Sequence, residues 1–312
     1  GSDTGGSVRN PASFCSVVGY KPTYGLISRY GLISYANSIE QIGPLARTVK
    51  DTAFMLNMIA GLDANDNTTI DNKNEDYLSG IDSGIEGKKI GIIKEMIGEG
   101  TDPAVLSATN DAIAKLESLG AICEEISIDM VKYSVAAYYT ITATEAGSNL
   151  ARYDNLRYGY DFPLEGYEFN SYISKARRNF GPEVTRRMII GGFVPSAGHA
   201  GKYFLKAMKV KSKLTKEINE AFKKFDFLIA PTVPILPFKV GEKINDPVAL
   251  FLVDINTVTA NLTGKPAISI PFAISNGLPI GMQLFADSMQ DKSLLQAAYA
   301  LEQTVKLPEV PI

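Results

Sequence analysis

The chain has 312 residues. That length suits two domains of about 150 residues or one large α/β domain. No linker divides the chain, so a single domain is expected. Apolar residues make up 45% and charged residues 21%, which allows a sizeable core and excludes a disordered chain. The net charge of −3 excludes a basic nucleic-acid tail or membrane-surface helix as the main business. Cys15 and Cys123, the two cysteines, exclude a disulfide scaffold and a multi-cysteine metal site. His199 is the single histidine, so no His-rich metal centre is expected. A Ser-His-Asp or Cys-His site would have to use it. Neither a long apolar run nor a basic-then-apolar leader occurs, so a soluble protein of a reducing compartment is expected. The opening Gly1-Ser2-Asp3 lacks Met, which reads as a tag-cleavage remnant or as a start inside a longer protein.

Residues 1–46, rich in Gly, Ser and Tyr, predict loops joining short strands. Thr48 is an N-cap candidate for a helix carrying Ala53, Phe54, Leu56 and Ile59 and stopped at Gly61. The polar stretch 65–76 reads as a surface loop. Lys89-Ile90-Gly91-Ile92-Ile93 predicts a buried strand. Asp102-Pro103 opens a helix with Leu106, Ile113 and Leu116, stopped by Gly120, and Ala121-Ile122-Cys123 begins another strand. That β-α-β order predicts an α/β fold with crossover helices. Residues 133–225 read as mostly helical. The last helix there, about 198–224, carries Phe204, Met208, Ile218 and Phe222 on one side. Lys202, Lys206, Lys209, Lys213, Lys216 and Lys223 go with them as a solvated face, with a nucleic-acid patch as the lesser alternative. A strand at 226–230 ending at Pro231, a helix near 246–263, strands at 267–271 and 280–285, and a closing helix near 291–304 complete the reading.

The chemistry-bearing segment is Gly1-Ser2-Asp3-Thr4-Gly5-Gly6-Ser7-Val8-Arg9. A Gly-Gly pair takes positive φ and lets successive backbone N–H groups converge on one point. Those of Thr4 to Ser7 could hold an oxyanion, and a Ser placed after them could be an acyl-transfer nucleophile. As a bare pattern Gly-Gly-Ser is also common in flexible loops. The Gly-Lys-Ser/Thr ending of a phosphate loop is absent.

GSDTGGSVRNPASF, continuing through Cys15–Thr23, Ser28–Ile33 and Gln41-Ile42-Gly43-Pro44, resembles the core of the amidase signature family. Within it, residues 145–154, Arg157-Tyr158-Gly159, Glu183–Arg187, 254–261 and Gly264–Ser269 are most similar to the A subunits of amidotransferases acting on Glu-tRNA(Gln) or Asp-tRNA(Asn). The resemblance covers nearly all of the chain. It implies the amidase-signature fold, a mixed β-sheet core flanked by helices, with residues 1–312 as the C-terminal major portion of a single amidase domain whose N-terminal part is missing.

Members of that family hydrolyse amides with a Ser–Ser–Lys triad. The resemblance places the nucleophile at Ser7 and the oxyanion donors at the backbone of Thr4, Gly5, Gly6 and Ser7. A Lys base needs no histidine, but it must be neutral, so burial has to lower its pKa. The family's Lys and bridging Ser lie upstream of this loop. Lys21 belongs to the family's Lys-Pro-Thr stretch and is not the base. The chain by itself is therefore expected to be inactive. Its core is expected to be incomplete, with apolar faces at Ile90–Ile93 or Ala267–Ile270 at risk of exposure.

The implied activity is a glutamine amidohydrolase subunit that releases ammonia for transamidation of Glu-tRNA(Gln) or Asp-tRNA(Asn). Free glutamine needs a cation for its α-carboxylate and an anion for its α-ammonium. The resemblance assigns these to Arg187 and Asp254, with Tyr138 or Tyr139 lining the same pocket; a surface Arg beside Arg186, a solvent-facing Asp254 and core tyrosines are the plainer alternatives. Asp3 and Arg9 are expected to brace the loop, Cys15 to pack as a small hydrophobe, and His199 to be structural or exposed. No metal or cofactor is expected in this chain. ATP and Mg are expected in a partner, the kinase/transamidase B subunit, and a small C subunit is expected beside it. The tRNA would be read through the partner, without a membrane and in the cytoplasm. A stand-alone amidase on another small amide and a non-catalytic amidase-fold scaffold remain open.

Overall fold

The computed structural model describes residues 1–154, 157–159, 163, 165–242 and 253–306. In chain order its elements are β1 (Ser2–Asp3), α1 (Arg9–Phe14), β2 (Val18–Lys21), β3 (Gln41–Ile42), β4 (Leu45–Ala46), α2 (Val49–Ile59), β5 (Lys89–Ile93), α3 (Pro103–Ser118), β6 (Ile122–Ile126), α4 (Ser134–Leu150), α5 (Phe169–Ala176), α6 (Pro182–Phe193) and α7 (Phe204–Phe222). Then come β7 (Phe227–Pro231), α8 (Val258–Thr263), β8 (Ala267–Ser275), β9 (Leu278–Ala286) and α9 (Asp291–Glu302). The chain forms two compact units. The first holds Gly1–Gly31, Ile39–Val135 and Lys211–Ile312, and the second Leu32–Ser38 and Ala136–Val210.

The first unit contains a seven-stranded sheet in the order β4-β2-β8-β9-β7-β5-β6. The strands β6, β5 and β7 run parallel and the remaining pairs are antiparallel, so the sheet is mixed as expected. The β5-α3-β6 crossover is the predicted β-α-β unit. Asp102 caps α3 by accepting from Ala104 N at 2.8 Å, with Pro103 in the first turn. Thr48 caps α2 by accepting from Asp51 N at 3.0 Å.

Strand alternation sorts the sheet into two faces. Val18 and Tyr20 of β2, Ile268, Ile270 and Phe272 of β8, and Ile280, Met282 and Leu284 of β9 join the main core with residues of α2, α3 and α9. The opposite face carries Gly19 and Lys21, Ser269, and Gly281 and Gln283, and α1 packs on it. Glycine is required at Gly19 and Gly281: a Cβ at Gly19 would meet Ala12 Cβ at 2.5 Å, and one at Gly281 would meet Ser13 Oγ at 2.5 Å. This polar, tightly approached face supports the glycine-serine loop.

The predicted exposure of Ile90–Ile93 and Ala267–Ile270 is not found. Ile90, Ile93, Ala267, Ile268 and Ile270 are fully buried, because β5 and β8 are interior strands with helices packed over them. On α7 the buried stripe is Ala207, Leu214, Ile218 and Ala221. Phe204 and Phe222 are only half-buried and Met208 is exposed, so the predicted apolar side is rotated. The six α7-region lysines are exposed, as a solvated face requires. The predicted helix near 246–263 is seen as α8, preceded by a turn; residues 243–252 lie outside the described set.

In the second unit α4 and α6 cross glycine to glycine. A Cβ on Gly191 would sit 2.1 Å from Ala143 O, so only glycine permits the approach. Segment 32–38 is tied to α4 by Ser38 N and Oγ on the Glu145 carboxylate, at 3.0 and 2.5 Å, and by Asn149 Nδ2 donating to Tyr35 O at 3.0 Å. Among the described residues no helix is long and apolar enough to cross a membrane.

Candidate active site

The loop Thr4–Ser7 is clamped at both ends. β1 pairs with β3 (Ser2 opposite Ile42, Asp3 opposite Gln41) and α1 begins at Arg9. Val8, at the α1 N-cap, has no side chain able to accept a hydrogen bond, and Asp3 supplies one instead. Asp3 Oδ2 accepts from Val8 N at 3.3 Å and Arg9 N at 3.4 Å. Its carboxylate also pairs with the Arg9 guanidinium, Nε to Oδ2 at 3.0 Å and Nη2 to Oδ1 at 2.9 Å, with both side chains fully buried. Burial alone would raise the Asp3 pKa. The Arg9 charge and the hydrogen bonds from Arg9 and Asn261 outweigh it and hold the carboxyl below its ordinary value.

Arg9 spends its remaining donors on distant parts of the first unit. Nη1 donates to Thr257 O at 3.0 Å and Gln283 Oε1 at 2.5 Å, and Nη2 donates to Asn261 Oδ1 at 2.7 Å. Asn261 Nδ2 returns to Asp3 O and Oδ1, both at 2.9 Å. Thr257 Oγ1 donates to Gly5 O at 2.6 Å and lies 3.1 Å from Asp254 O. Asp254, Thr257 and Asn261 fall at i, i+3 and i+7, so a single face of α8 and its leading turn meets the loop. The predicted bracing by Asp3 and Arg9 is found, and Asn261, Thr257 and Gln283 complete it.

Within this frame Thr4, Gly5 and Gly6 are buried while Ser7 is exposed. Gly6 has φ +137°, and a Cβ there would meet Thr257 Oγ1 at 2.4 Å and Asn10 Nδ2 at 2.7 Å, so glycine is required. Among the described residues, the N–H groups of Thr4, Gly5, Gly6 and Ser7 donate to no protein acceptor, and no side chain hydrogen-bonds Ser7 Oγ. The arrangement offers an exposed hydroxyl beside a run of unspent backbone donors.

Lys21 lies on the sheet face beneath α1 and is 1% exposed. Its Nζ donates to Pro22 O at 2.9 Å. Burial pushes its ammonium down to about 7; the Arg9 charge adds to this, and Asp3 and Asp291 oppose it. Asp291, also buried, accepts from Tyr20 OH, from Thr23 N at 2.9 Å and from Thr23 Oγ1 at 2.5 Å. Burial raises its carboxyl pKa despite those bonds.

Asp254 is half-buried and accepts from Asn10 Nδ2 at 2.8 Å. In the second unit, Arg186 pairs with both oxygens of Glu183 at 2.8 Å. Arg187 is the more buried of the two arginines, at 28% against 38% side-chain exposure. It donates through Nε to Glu183 Oε1 at 2.6 Å and through Nη1 to Tyr35 OH, and its guanidinium carbon lies 5.2 Å from the Tyr35 ring centroid. Burial works against its charge, but Tyr35 and Glu183 raise its pKa. Tyr138 is buried in α4 and its neighbour Tyr139 half-buried, with ring centroids 4.8 Å apart. His199 is half-buried between Phe193 and Tyr203, with Ser196 Oγ 3.4 Å from Nδ1. Cys15 does not pack as expected: it caps the C-terminus of α1 and is exposed.

Asn10, Thr257, Asn261, Gln283 and Asp291 escape a sequence reading. Their one local signal is a polar residue inside an apolar run, as in Met282-Gln283-Leu284, or the four-residue spacing of Thr257 and Asn261.

Comparison with known proteins gives a family match over nearly the whole chain. The amidase family profile matches residues 1–295. The glutamyl-tRNA(Gln) amidotransferase A subunit of Cenarchaeum symbiosum is 67% identical over 311 residues, covering 100% of this chain and 65% of the relative. The Methanosarcina mazei protein of the same name is 50% identical, covering 99% of this chain and 66% of its own length. The crystal structure of the corresponding Thermotoga maritima protein superposes with a TM-score of 0.80 at 44% identity, covering 97% of this chain and 61% of that one. The chain thus spans less than two thirds of the length of each. A mixed sheet carrying a braced Gly-Gly-Ser loop and a family match over nearly the whole sequence lead to one conclusion: this chain belongs to the amidase family.

Proposed function

We propose that residues 1–312 form the nucleophile-bearing portion of a glutamine amidohydrolase subunit that supplies ammonia for amidation of Glu-tRNA(Gln) or Asp-tRNA(Asn). The observation that carries the reading is the exposed Ser7 hydroxyl at the end of a buried, cross-braced loop whose four N–H groups meet no acceptor among the described residues. The identity of 67% and 50% to glutamyl-tRNA(Gln) amidotransferase relatives favours glutamine and tRNA-dependent amidation over another small amide.

In this proposal Ser7 Oγ attacks the carboxamide carbon of glutamine. The N–H groups of Thr4, Gly5, Gly6 and Ser7 receive the oxyanion, at no reorganisation cost because the loop is already held. The tetrahedral adduct collapses as the leaving nitrogen takes up the proton given up by the Ser7 hydroxyl and departs as ammonia, which leaves a glutamyl ester on Ser7. Water then hydrolyses the ester to glutamate. The resemblance supplies the base as a Lys acting through a bridging Ser. Lys21, with Nζ engaged by Pro22 O on the sheet face, is not assigned that role.

Asp254 is assigned the α-ammonium of glutamine and Arg187 its α-carboxylate. Each fits on its own surroundings: Asp254 is an oriented, half-buried carboxylate, and Arg187 is a half-buried guanidinium whose Nη2 has no protein partner among the described residues. Tyr138 and Tyr139 are assigned to glutamine binding. The partners are a kinase/transamidase B subunit, which holds ATP and Mg and reads the tRNA, and a small C subunit. The complex is placed in the cytoplasm. The test is Ser7→Ala in the full-length protein: glutaminase activity is abolished with the fold retained, and survival of more than a small fraction of it contradicts the proposal.

A further inference from the structure

Asn10 stands one helical turn after Gly6 and three positions after Ser7. Its backbone N–H donates to Gly6 O at 2.7 Å, which fixes it beneath the loop. Its side chain, on a residue only 7% exposed, reaches across to Asp254, Nδ2 to Oδ1 at 2.8 Å. The absence of a Cβ at Gly6 makes room for that amide. Asn10 Oδ1 is buried and takes no donor among the described residues. A buried acceptor without a partner is costly and is retained where something else uses it.

We propose that Asn10 is the positioning residue that makes this site selective for an amide bearing an α-ammonium group, by orienting the Asp254 carboxylate. This rests on the reading of Asp254 given above. An amide suits the task chemically. Its N–H fixes one carboxylate oxygen without neutralising it, whereas Lys or Arg would cancel the charge that an ammonium needs. A leucine would remove this hydrogen bond to the carboxylate, and an acid would repel it. The unpartnered Oδ1 adds a partial negative charge to the same place, which favours a cation there. Thr257 reinforces the link, with its hydroxyl 2.6 Å from Gly5 O and 3.1 Å from Asp254 O. The oxyanion loop and the Asp254 turn are thereby held as one piece, so placement of the substrate's head group and placement of its reacting carbonyl are set together.

The test uses the full-length protein in its assembled amidotransferase. KM and kcat for glutamine are measured together with the inhibition constant of glutaramic acid, which is glutamine without its α-amino group, as a competitor. Asn10→Ala raises the glutamine KM about tenfold, leaves kcat within about threefold, and moves the glutaramic acid constant less than about twofold. Asn10→Asp, the same in shape but without the donor, shows at least as large a split. Equal weakening of both ligands, or of neither, in a folded Asn10 variant overturns the proposal. Asp254→Asn separates the two readings. A split there without one in Asn10→Ala refutes the positioning role alone. Absence of a split in Asp254→Asn refutes the assignment of Asp254 and, with it, the role of Asn10.

Discussion

Asp3 and Arg9 form a fully buried ion pair, 2.9 Å from Oδ1 to Nη2, in which the acid begins the loop and the base opens the helix after it. The pair sets the loop's two ends at a fixed separation. Arg9 carries the restraint onward to Thr257, Asn261 and Gln283. Removing one partner leaves the other's charge uncompensated in a dry interior, at a cost of about 3–5 kcal/mol. Arg9→Met therefore lowers the urea midpoint sharply. Asp3→Asn does so too, and its penalty shrinks as pH falls. The sign follows from the Asp3 pKa, which is lower folded than unfolded: its stabilisation is complete above the unfolded value and is lost as pH drops through the folded one. Denaturant titrations of both variants from pH 7 to pH 3 check this.

Lys21 gives a pH dependence of opposite origin. Its ammonium ionises near 7 when folded against an ordinary 10.5. Between those values the unfolded chain holds a proton that the folded chain does not, so stability rises with pH across that window. Wild type gains on Lys21→Met by about 1.4 kcal/mol per pH unit between pH 7 and 10.5, and the difference levels off below pH 7. Unfolding free energies of the two proteins at pH 7, 8 and 9.5 measure it. A pH-independent difference would mean that Lys21 is protonated throughout.

Gly6→Ala forces a side chain into φ +137° and against Thr257 Oγ1. The loop must shift and its donors move off the oxyanion position. Loss of one such donor costs about 10²–10³ in kcat. Steady-state glutaminase assays are expected to show a kcat fall of that order, with the glutamine KM changed far less. A kcat within tenfold of wild type would place the oxyanion elsewhere.

Asp254→Asn and Arg187→Met each weaken glutamine-driven amidation roughly 10–150-fold more than ammonia-driven amidation, because each charge-assisted bond to glutamine is worth about 1.5–3 kcal/mol. Parallel rate measurements with the two nitrogen donors decide it. Equal loss with both would make these residues supports of the fold or of a partner interface.

What a sequence reading reaches here follows the range of the forces involved. Strand β5 and helix α3 are legible because their signals are local: an apolar run, an Asp-Pro start and a Gly120 stop. Helix α1 is not legible. It has six residues, carries Pro11, and owes its start to Asp3, an acceptor outside its own first turn. The core helices hide their inward faces in a similar way. On α7 small Ala207 and Ala221 are buried in place of the larger Met208, since close packing against neighbours selects fit rather than hydrophobicity alone. The Gly-Gly-Ser loop is readable as a candidate site and Asp3 and Arg9 as its brace, but the distant partners of that brace are not. Arg9 and Asn261 are 252 positions apart, and no local pattern signals their bond. Cys15 is misread for the same reason: at a helix end, burial depends on what the rest of the chain places there, and among the described residues Cys15 stays exposed.

The most direct test of the account is to trap the acyl intermediate. The full-length protein in its complex is mixed with glutamine, quenched in acid during turnover, digested and mapped by mass spectrometry. The account predicts a glutamyl ester on the peptide containing Ser7, absent from Ser7→Ala. An ester on any other residue, or turnover in the Ser7→Ala protein, would contradict it.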